Sequence, residues 1–247
     1  QAALAEPAPA LPEQGGDAQF RAQLGEVFPD FLCRTTKGDF SFHALLDLAP
    51  RWTIFFSHPK DFTPVCTTEL GACQSFFPRF AERGVKLIGL SCDSVADHHE
   101  WSRDVLAARG LDGQELDFPL IADEDRSIAT RLGMLDPLER DSAGIPMPAR
   151  ALFLICPARR LRFAVIYPAS MGRSFSEVLR AVDAVLLLEQ HNVLTPAGWT
   201  PGARVLLPEA VPASSEALFA DVHVQPLPSS RRCLCWAACP GRRFSSL

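Results

Sequence analysis

The sequence predicts an α/β fold with a small appended unit at its carboxy end. Three observations carry this. Residues 52–56 (Trp-Thr-Ile-Phe-Phe) and 85–90 are short, apolar, partly β-branched runs that flank a helical stretch at 69–83, which makes a βαβ unit. Phe175, Val178, Leu179, Val182, Val185 and Leu186 recur at helical spacing across 174–189, so a long amphipathic helix covers one face of the sheet. Beyond His191, prolines at 196, 201, 208, 212, 226 and 228 cut the chain into short extended pieces, with one helix near 214–219.

The intervening elements follow from their stop signals. A polar helix is expected at 97–109, ended by Gly110, then a short strand at 119–121 and a short helix at 126–132, ended by Gly133. Strands at 151–156 and 162–167 flank Pro157-Ala158-Arg159-Arg160 and read as a β-hairpin. From residue 231 the tail shows no periodicity and is expected to be mobile or docked only by a partner.

Composition narrows the function classes. With 247 residues, 47% of them hydrophobic and 21% charged, the chain has ample material for a packed core. A net charge of −5 lacks the broad basic field of nucleic-acid binders. No apolar run approaches the roughly 20 residues of a membrane span, so integral membrane association is not expected. Residues 1–23 are rich in Ala, Pro and Gln without the basic and apolar regions of a secretory signal. Gln1 in place of Met suggests a processed or incomplete amino end, and a remnant of organelle targeting stays open. Eight cysteines at irregular spacings argue for a reducing compartment, with the cytoplasm as the expected location.

The chemistry concentrates in residues 56–70, between the first strand and the following helix. Cys66 stands where a helix begins, facing unpaired backbone N–H groups and the positive end of the dipole, which favour a thiolate nucleophile. Pro64 suits the first helical turn, and Thr63 can aim a hydroxyl at whatever the sulfur attacks. A buried, purely structural cysteine is the alternative reading of Cys66 taken alone.

Pro59-x-x-x-Thr63-x-x-Cys66, continued by Thr67-Thr68-Glu69, resembles the peroxidatic site of the peroxiredoxins. The string 57–71 is similar to the 1-Cys subfamily, as are Gly133-Met134-Leu135-Asp136, Tyr167-Pro168-Ala169 with Gly172-Arg173, and Thr195-Pro196-Ala197-Gly198-Trp199. The resemblance covers 24–230. It implies a thioredoxin-like peroxidase domain at 24–190 and a small C-terminal peroxiredoxin domain at 191–230 that packs across a homodimer. Residues 1–23 form a low-complexity extension and 231–247 a divergent tail.

The implied activity is that of an antioxidant oxidoreductase, a thiol-dependent peroxidase acting on hydrogen peroxide and organic or lipid hydroperoxides. Cys66 attacks the peroxide and becomes a sulfenic acid. The resemblance assigns catalytic positions to Pro59, which shields the sulfur, to Thr63, and to Arg150, which stands just before a core strand. Negative charge develops along the O–O bond, so donors from the Cys66 backbone, Thr63 and Arg150 suit the reaction. Glu69 can orient Arg150 through a carboxylate–guanidinium bond. His58 is either a packed residue or a proton carrier.

Where two-cysteine relatives carry a resolving Cys before Ala-Gly-Trp, this chain has Thr195. An external thiol, glutathione or a thioredoxin-like protein, is therefore expected as reductant, with no bound cofactor, while the other seven cysteines keep an internal route open. Cys33, Cys73, Cys92 and Cys156 read as small packing residues. Cys233, Cys235 and Cys239 offer three thiols and no nearby His, which disfavours a closed zinc site. His98 and His99 are adjacent on a helix and read as an exposed polar face rather than a metal pair.

Some 1-Cys relatives also hydrolyse phospholipids through a Ser-His-Asp set. Only His43 matches here, because Arg51 precedes Trp52 and Ala158 follows Pro157, so phospholipase A2 activity is expected to be absent. A redox sensor or chaperone-like protein switched by Cys66 oxidation is the competing function, and it differs from a peroxidase in lacking continuous turnover.

Overall fold

The computed structural model describes residues 20, 22–49, 52–208, 219–229 and 233–241. Its centre is a seven-stranded mixed sheet. The strands are β1 (Leu32–Thr35), β2 (Gly38–Ser41), β3 (Trp52–Ser57), β4 (Val85–Ser91), β5 (Leu120–Ala122), β8 (Arg150–Ile155) and β9 (Leu161–Tyr167), in the order β2-β1-β5-β4-β3-β8-β9. Strand β4 runs parallel to β3 and β5, while β8 lies antiparallel to β3. A hairpin of β6 (Leu135–Arg140) and β7 (Pro146–Pro148) stands apart.

Both faces of the sheet are covered, which explains the near-continuous apolar runs of its central strands. Along β3, Ile54 and Phe56 join one core cluster and Phe55 joins the other, as the two-residue period of a strand requires. Helices α2 (Pro64–Ala81), α3 (Val95–Ala107) and α5 (Phe175–His191) pack on the first face. On the second, α1 (Phe42–Asp47) and α4 (Ser127–Arg131) pack with Phe28, Phe31 and Phe153. Helix α3 opens on a capping box, in which Ser94 Oγ accepts from the Asp97 N–H while Asp97 Oδ2 accepts from the Ser94 N–H.

The mixed α/β architecture matches the expected fold class, and the strands and helices expected from 52 to 189 appear with ends shifted by a few residues. Elements β1, β2, α1, β6 and β7 carried no sequence expectation. Each is six residues or shorter, too brief for a periodic signal. The helix expected near 214–219 lies outside the described residues except for Phe219.

The tail requires a correction. Cys235–Ala237 forms β12, the middle strand of a three-stranded sheet between β10 (Val205–Leu206) and β11 (His223–Val224). Cys235 and Ala237 join Leu187, Val193, Trp199, Val205 and Leu207 in a third core cluster, so this segment is docked on the end of α5. A three-residue strand shows no periodicity on its own; partner strands and burial decide it. Removing residues 230–247 should therefore free two amides now held across the strand, Leu207 N–H to the Cys235 carbonyl and Gln225 N–H to the Leu234 carbonyl. Hydrogen exchange read by mass spectrometry should show both exchanging faster in the shortened chain; unchanged protection would mean that the strand contributes nothing.

Candidate active site

The loop between β3 and α2 carries the sequence-predicted residues to the carboxy end of the parallel strands. Ser57, at the end of β3, donates through Oγ to the Ala149 carbonyl and accepts from the Ala151 N–H. This ties the loop to the residues on either side of Arg150. Pro64 occupies the first turn of α2, so the helix starts at once and Cys66 falls within that turn, fully buried.

Arg150 and Cys66 meet. Arg150 Nη1 lies 3.4 Å from Cys66 Sγ and 2.7 Å from Glu69 Oε2, while its Nε and Nη2 donate to the Ala169 carbonyl at 2.9 and 2.6 Å. The guanidinium is thus fixed on three sides with one edge against the sulfur. Glu69 sits one helical turn after Cys66 and accepts from a second guanidinium as well. Arg173 donates to Oε1 through both its backbone N–H and Nε and to Oε2 through Nη2, each at 2.8 Å. All three side chains are buried. Burial opposes ionisation of Glu69, yet the bonds and charge of Arg173, reinforced by Arg150, outweigh it and hold the carboxyl below its ordinary 4.5.

Arg173 carried no site expectation. Its only trace in the sequence is the Gly172-Arg173 string, and a lone Arg before a helix reads as a surface charge until the fold buries it. Thr63 also differs from expectation. Its hydroxyl donates to the Lys60 carbonyl at 2.8 Å, so that proton is already committed and only lone pairs face outward. Pro59 is buried and, with Thr63 and Arg150, lines a cavity of about 310 Å³ that also meets Lys60, Val65, Arg140 and Met147.

His58 is fully buried, and its Nε2 contacts Asp61 Oδ1 at 2.8 Å. His98, expected on an exposed face, is instead fully buried with Nδ1 2.6 Å from Asp61 Oδ2. The polar pattern of α3 concealed one inward-facing histidine whose partner lies in a distant loop. His99 does stay at the surface, beside Glu115. Among the described residues, His58, Asp61 and Asp93 come nearest to a cation-binding group. Three of their four carboxylate oxygens already accept hydrogen bonds, since Asp61 receives His58 at Oδ1 and His98 at Oδ2, and Asp93 Oδ2 receives the Asp61 N–H and Ser91 Oγ.

The other thiols differ from Cys66 in their surroundings. Burial, with Asp30 and Asp39, pushes Cys33 up to about 12, and burial with Asp123 does the same for Cys92. Burial also raises Cys73 well above its usual value. Cys92 is only half-buried, whereas Cys33, Cys73 and Cys156 are buried packing residues. None of the eight cysteines is in a disulfide.

The AhpC/TSA family model matches residues 24–164, and the model for the C-terminal domain of 1-Cys peroxiredoxin matches 184–218. The chain belongs to the 1-Cys peroxiredoxins. Peroxiredoxin-6 of Rattus norvegicus is 46% identical over 85% of this chain and 95% of its own, and that of Homo sapiens is 44% identical over the same shares. A crystal structure of a cysteine-to-serine variant of peroxiredoxin 6 from Arenicola marina superposes with a TM-score of 0.85 at 46% identity, covering 89% of this chain and 99% of that one. A yeast mitochondrial 1-Cys peroxiredoxin, described with glutathione and thioredoxin resolving systems, gives 0.75 at 33% identity over 87% and 99%. This peroxiredoxin has the thioredoxin-like fold of its family and is a thiol-dependent peroxidase.

The buried carboxylate makes the peroxiredoxin acid-sensitive. Because Glu69 has a lowered pKa in the folded state, its stabilisation is fully present above its ordinary 4.5 and is lost as pH falls through the lower folded value. Glu69→Ala leaves two buried guanidiniums without their anion and should cost about 3–5 kcal/mol. Denaturant unfolding at neutral pH checks this, and a loss under 1 kcal/mol, roughly a surface-pair value, would refute it.

Proposed function

We propose that Cys66 is the peroxidatic nucleophile and that Arg150 holds both the sulfur and the reacting peroxide. The observation that carries this is the Arg150 Nη1 contact with Cys66 Sγ, fixed by Glu69 and Ala169. The thiolate attacks the terminal oxygen, an S–O bond forms as the O–O bond breaks, and the electron pair leaves on the other oxygen as hydroxide or alkoxide. The guanidinium faces the charge that develops there. Thr63, its own proton given to Lys60, serves as an acceptor that orients the hydroperoxide O–H, and Pro59 walls the cavity. The apolar part of that wall, Pro64, Val65 and Met147, suits organic and lipid hydroperoxides as well as hydrogen peroxide.

The sulfenic acid is returned by an external thiol, glutathione or a thioredoxin-like protein. Thr195 at the resolving position supports this, as does the description of the yeast relative. Unpaired thiols throughout suit a reducing compartment, and we assign the cytoplasm. We assign a homodimer, and the position of β9 at the end of the seven-stranded sheet supports it. Residues 25–27 bridge only the start of that strand, leaving an edge that a second copy can pair, with Ile166 exposed beside it. Sedimentation showing only monomer would oppose that assignment.

Phospholipase A2 chemistry has no support around His43. Its Nε2 lies 2.8 Å from the Phe28 carbonyl, and its Nδ1 faces Arg159 Nη1 at 3.0 Å. Facing a cation at Nδ1, with Asp30 Oδ2 4.0 Å away, the imidazole is held by structural partners, which supports the absence of a base that activates a hydroxyl. Incubation with phospholipid vesicles should release no fatty acid beyond background.

Stopped-flow oxidation tests the main reading. Cys66→Ser should lose turnover while keeping its fold, and Arg150→Ala should slow Cys66 oxidation by about 10²–10³-fold, as for loss of a charge-stabilising donor. After peroxide, a sulfenic-selective reagent should label Cys66 in the native chain. Full turnover in Cys66→Ser, or a dominant disulfide from Cys66 to the tail cysteines, would overturn the respective assignments.

A further inference from the structure

We infer that His98 is a positioning residue for the peroxidatic loop: as an imidazolium it clamps Asp61, and through Asp61 it holds His58 as the neutral tautomer with Nδ1 unprotonated. The hydrogen-bond partners fix the protons on these side chains. His98 Nδ1 lies 2.6 Å from Asp61 Oδ2 and its Nε2 lies 3.2 Å from the Ile121 carbonyl oxygen. A carboxylate and a carbonyl only accept, so both ring nitrogens donate, and a neutral imidazole has only one N–H. The other carboxylate oxygen of Asp61 takes His58 Nε2 at 2.8 Å, so His58 donates from that nitrogen. His58 Nδ1 has no hydrogen-bond partner although the residue is fully buried. A lone pair is tolerated in that position more readily than an orphaned N–H.

The clamp reaches the site through the backbone. Asp61 is pinned at its side chain by the two histidines and at its N–H by Asp93 Oδ2, 2.8 Å away. The next residue, Phe62, sits at φ 56°, a left-handed conformation that a bulky residue adopts only under strain. Thr63, Pro64 and Cys66 follow directly. A loop bent against its own preference holds its shape only if something rigid fixes one side of the bend, and here that is Asp61.

The charged and titratable groups facing His98 are Asp61 and His58 from the loop before α2 and Asp93 from the loop after β4; β5 presents the Ile121 carbonyl. Burial opposes the second proton on His98, but the bond to Asp61 and its charge outweigh that and raise the pKa above its ordinary 6.5. Asp61 shifts the other way: burial opposes its charge, yet the bonds to His58 and His98 hold it below its ordinary 3.8. With one pKa raised and the other lowered, the clamp is complete between the two folded values. It opens as pH rises through that of His98 or falls through that of Asp61.

The inference rests on the peroxidase reading only for its activity arm, because the proton count is measured without peroxide. Long-range ¹H–¹⁵N spectra of the reduced full chain at about pH 7 should show one imidazole protonated at both nitrogens, identified by its loss in His98→Gln. Its titration gives a midpoint above 6.5. In stopped-flow, the rate of Cys66 oxidation should decline on the alkaline side at that same midpoint. In His98→Gln that limb should vanish and the rate should fall about tenfold through loosened geometry. Asp61→Asn, whose amide can satisfy both histidines without charge, should return His98 to a neutral ring and serves if the Gln variant fails to fold. A His98 ring with one bare nitrogen at neutral pH, or a His98→Gln enzyme with unchanged rate and pH profile, would overturn the proposal.

Discussion

The Glu69 carboxylate, buried between two guanidiniums, is the constraint on which the rest of the site depends. It binds α2 to Arg150 at the start of β8 and to Arg173 before α5, so three separate elements converge on one anion. Arg173 also donates to the Ala151 carbonyl and lies 5.1 Å over the Phe56 ring, joining the anion to the sheet itself. Buried charges are costly unless fully paired, and here every carboxylate oxygen receives a charged donor. The product of that arrangement is a guanidinium edge held still against Cys66.

A second buried network lies around His58, Asp61 and His98. It shares no residue with the first and works on the other end of the loop. One network fixes what faces the sulfur from β8; the other fixes how the chain enters α2. Trp101 stands between the two, its ring 5.2 Å from that of His58 and its Nε1 donating to Thr67 Oγ1. The fold thus places polar order at the two ends of a short strained loop and surrounds it with apolar packing.

Chemically identical thiols are given different surroundings by the fold. Cys33 and Cys92 lie near carboxylates and in low-dielectric surroundings, which disfavour the thiolate, whereas Cys66 has a guanidinium and a helix amino end as neighbours. Cys235 is the core-facing residue of a docked strand, a packing position within a small sheet. The carboxy-terminal unit closes over the end of α5 through Leu187 and an Arg180 bond to the Trp199 carbonyl, around a core cluster of its own.

Elements with a long or strongly apolar signature were legible in the sequence: the βαβ unit around β3 and β4, the hairpin of β8 and β9, and α5. Pro59, Cys66 and Glu69 stand close together around a helix start, a local property of the chain, whereas Arg150 entered only through the family resemblance and meets Cys66 across 84 residues. Local signals failed where pairing is distant. The strand at Cys235–Ala237 exists because β10 and β11 flank it, and His98 is buried because Asp61 lies opposite. Arg173 reaches Glu69 across a separation of 104 residues, and the committed proton of Thr63 depends on how the loop folds back on Lys60. Sequence alone determined which groups are the candidates for chemistry, since residue type and near-neighbour spacing put a cysteine at a helix start. Only the tertiary structure decided which charges face one another and which protons are already spoken for, because hydrogen bonds and burial are fixed by groups that the chain brings together from afar.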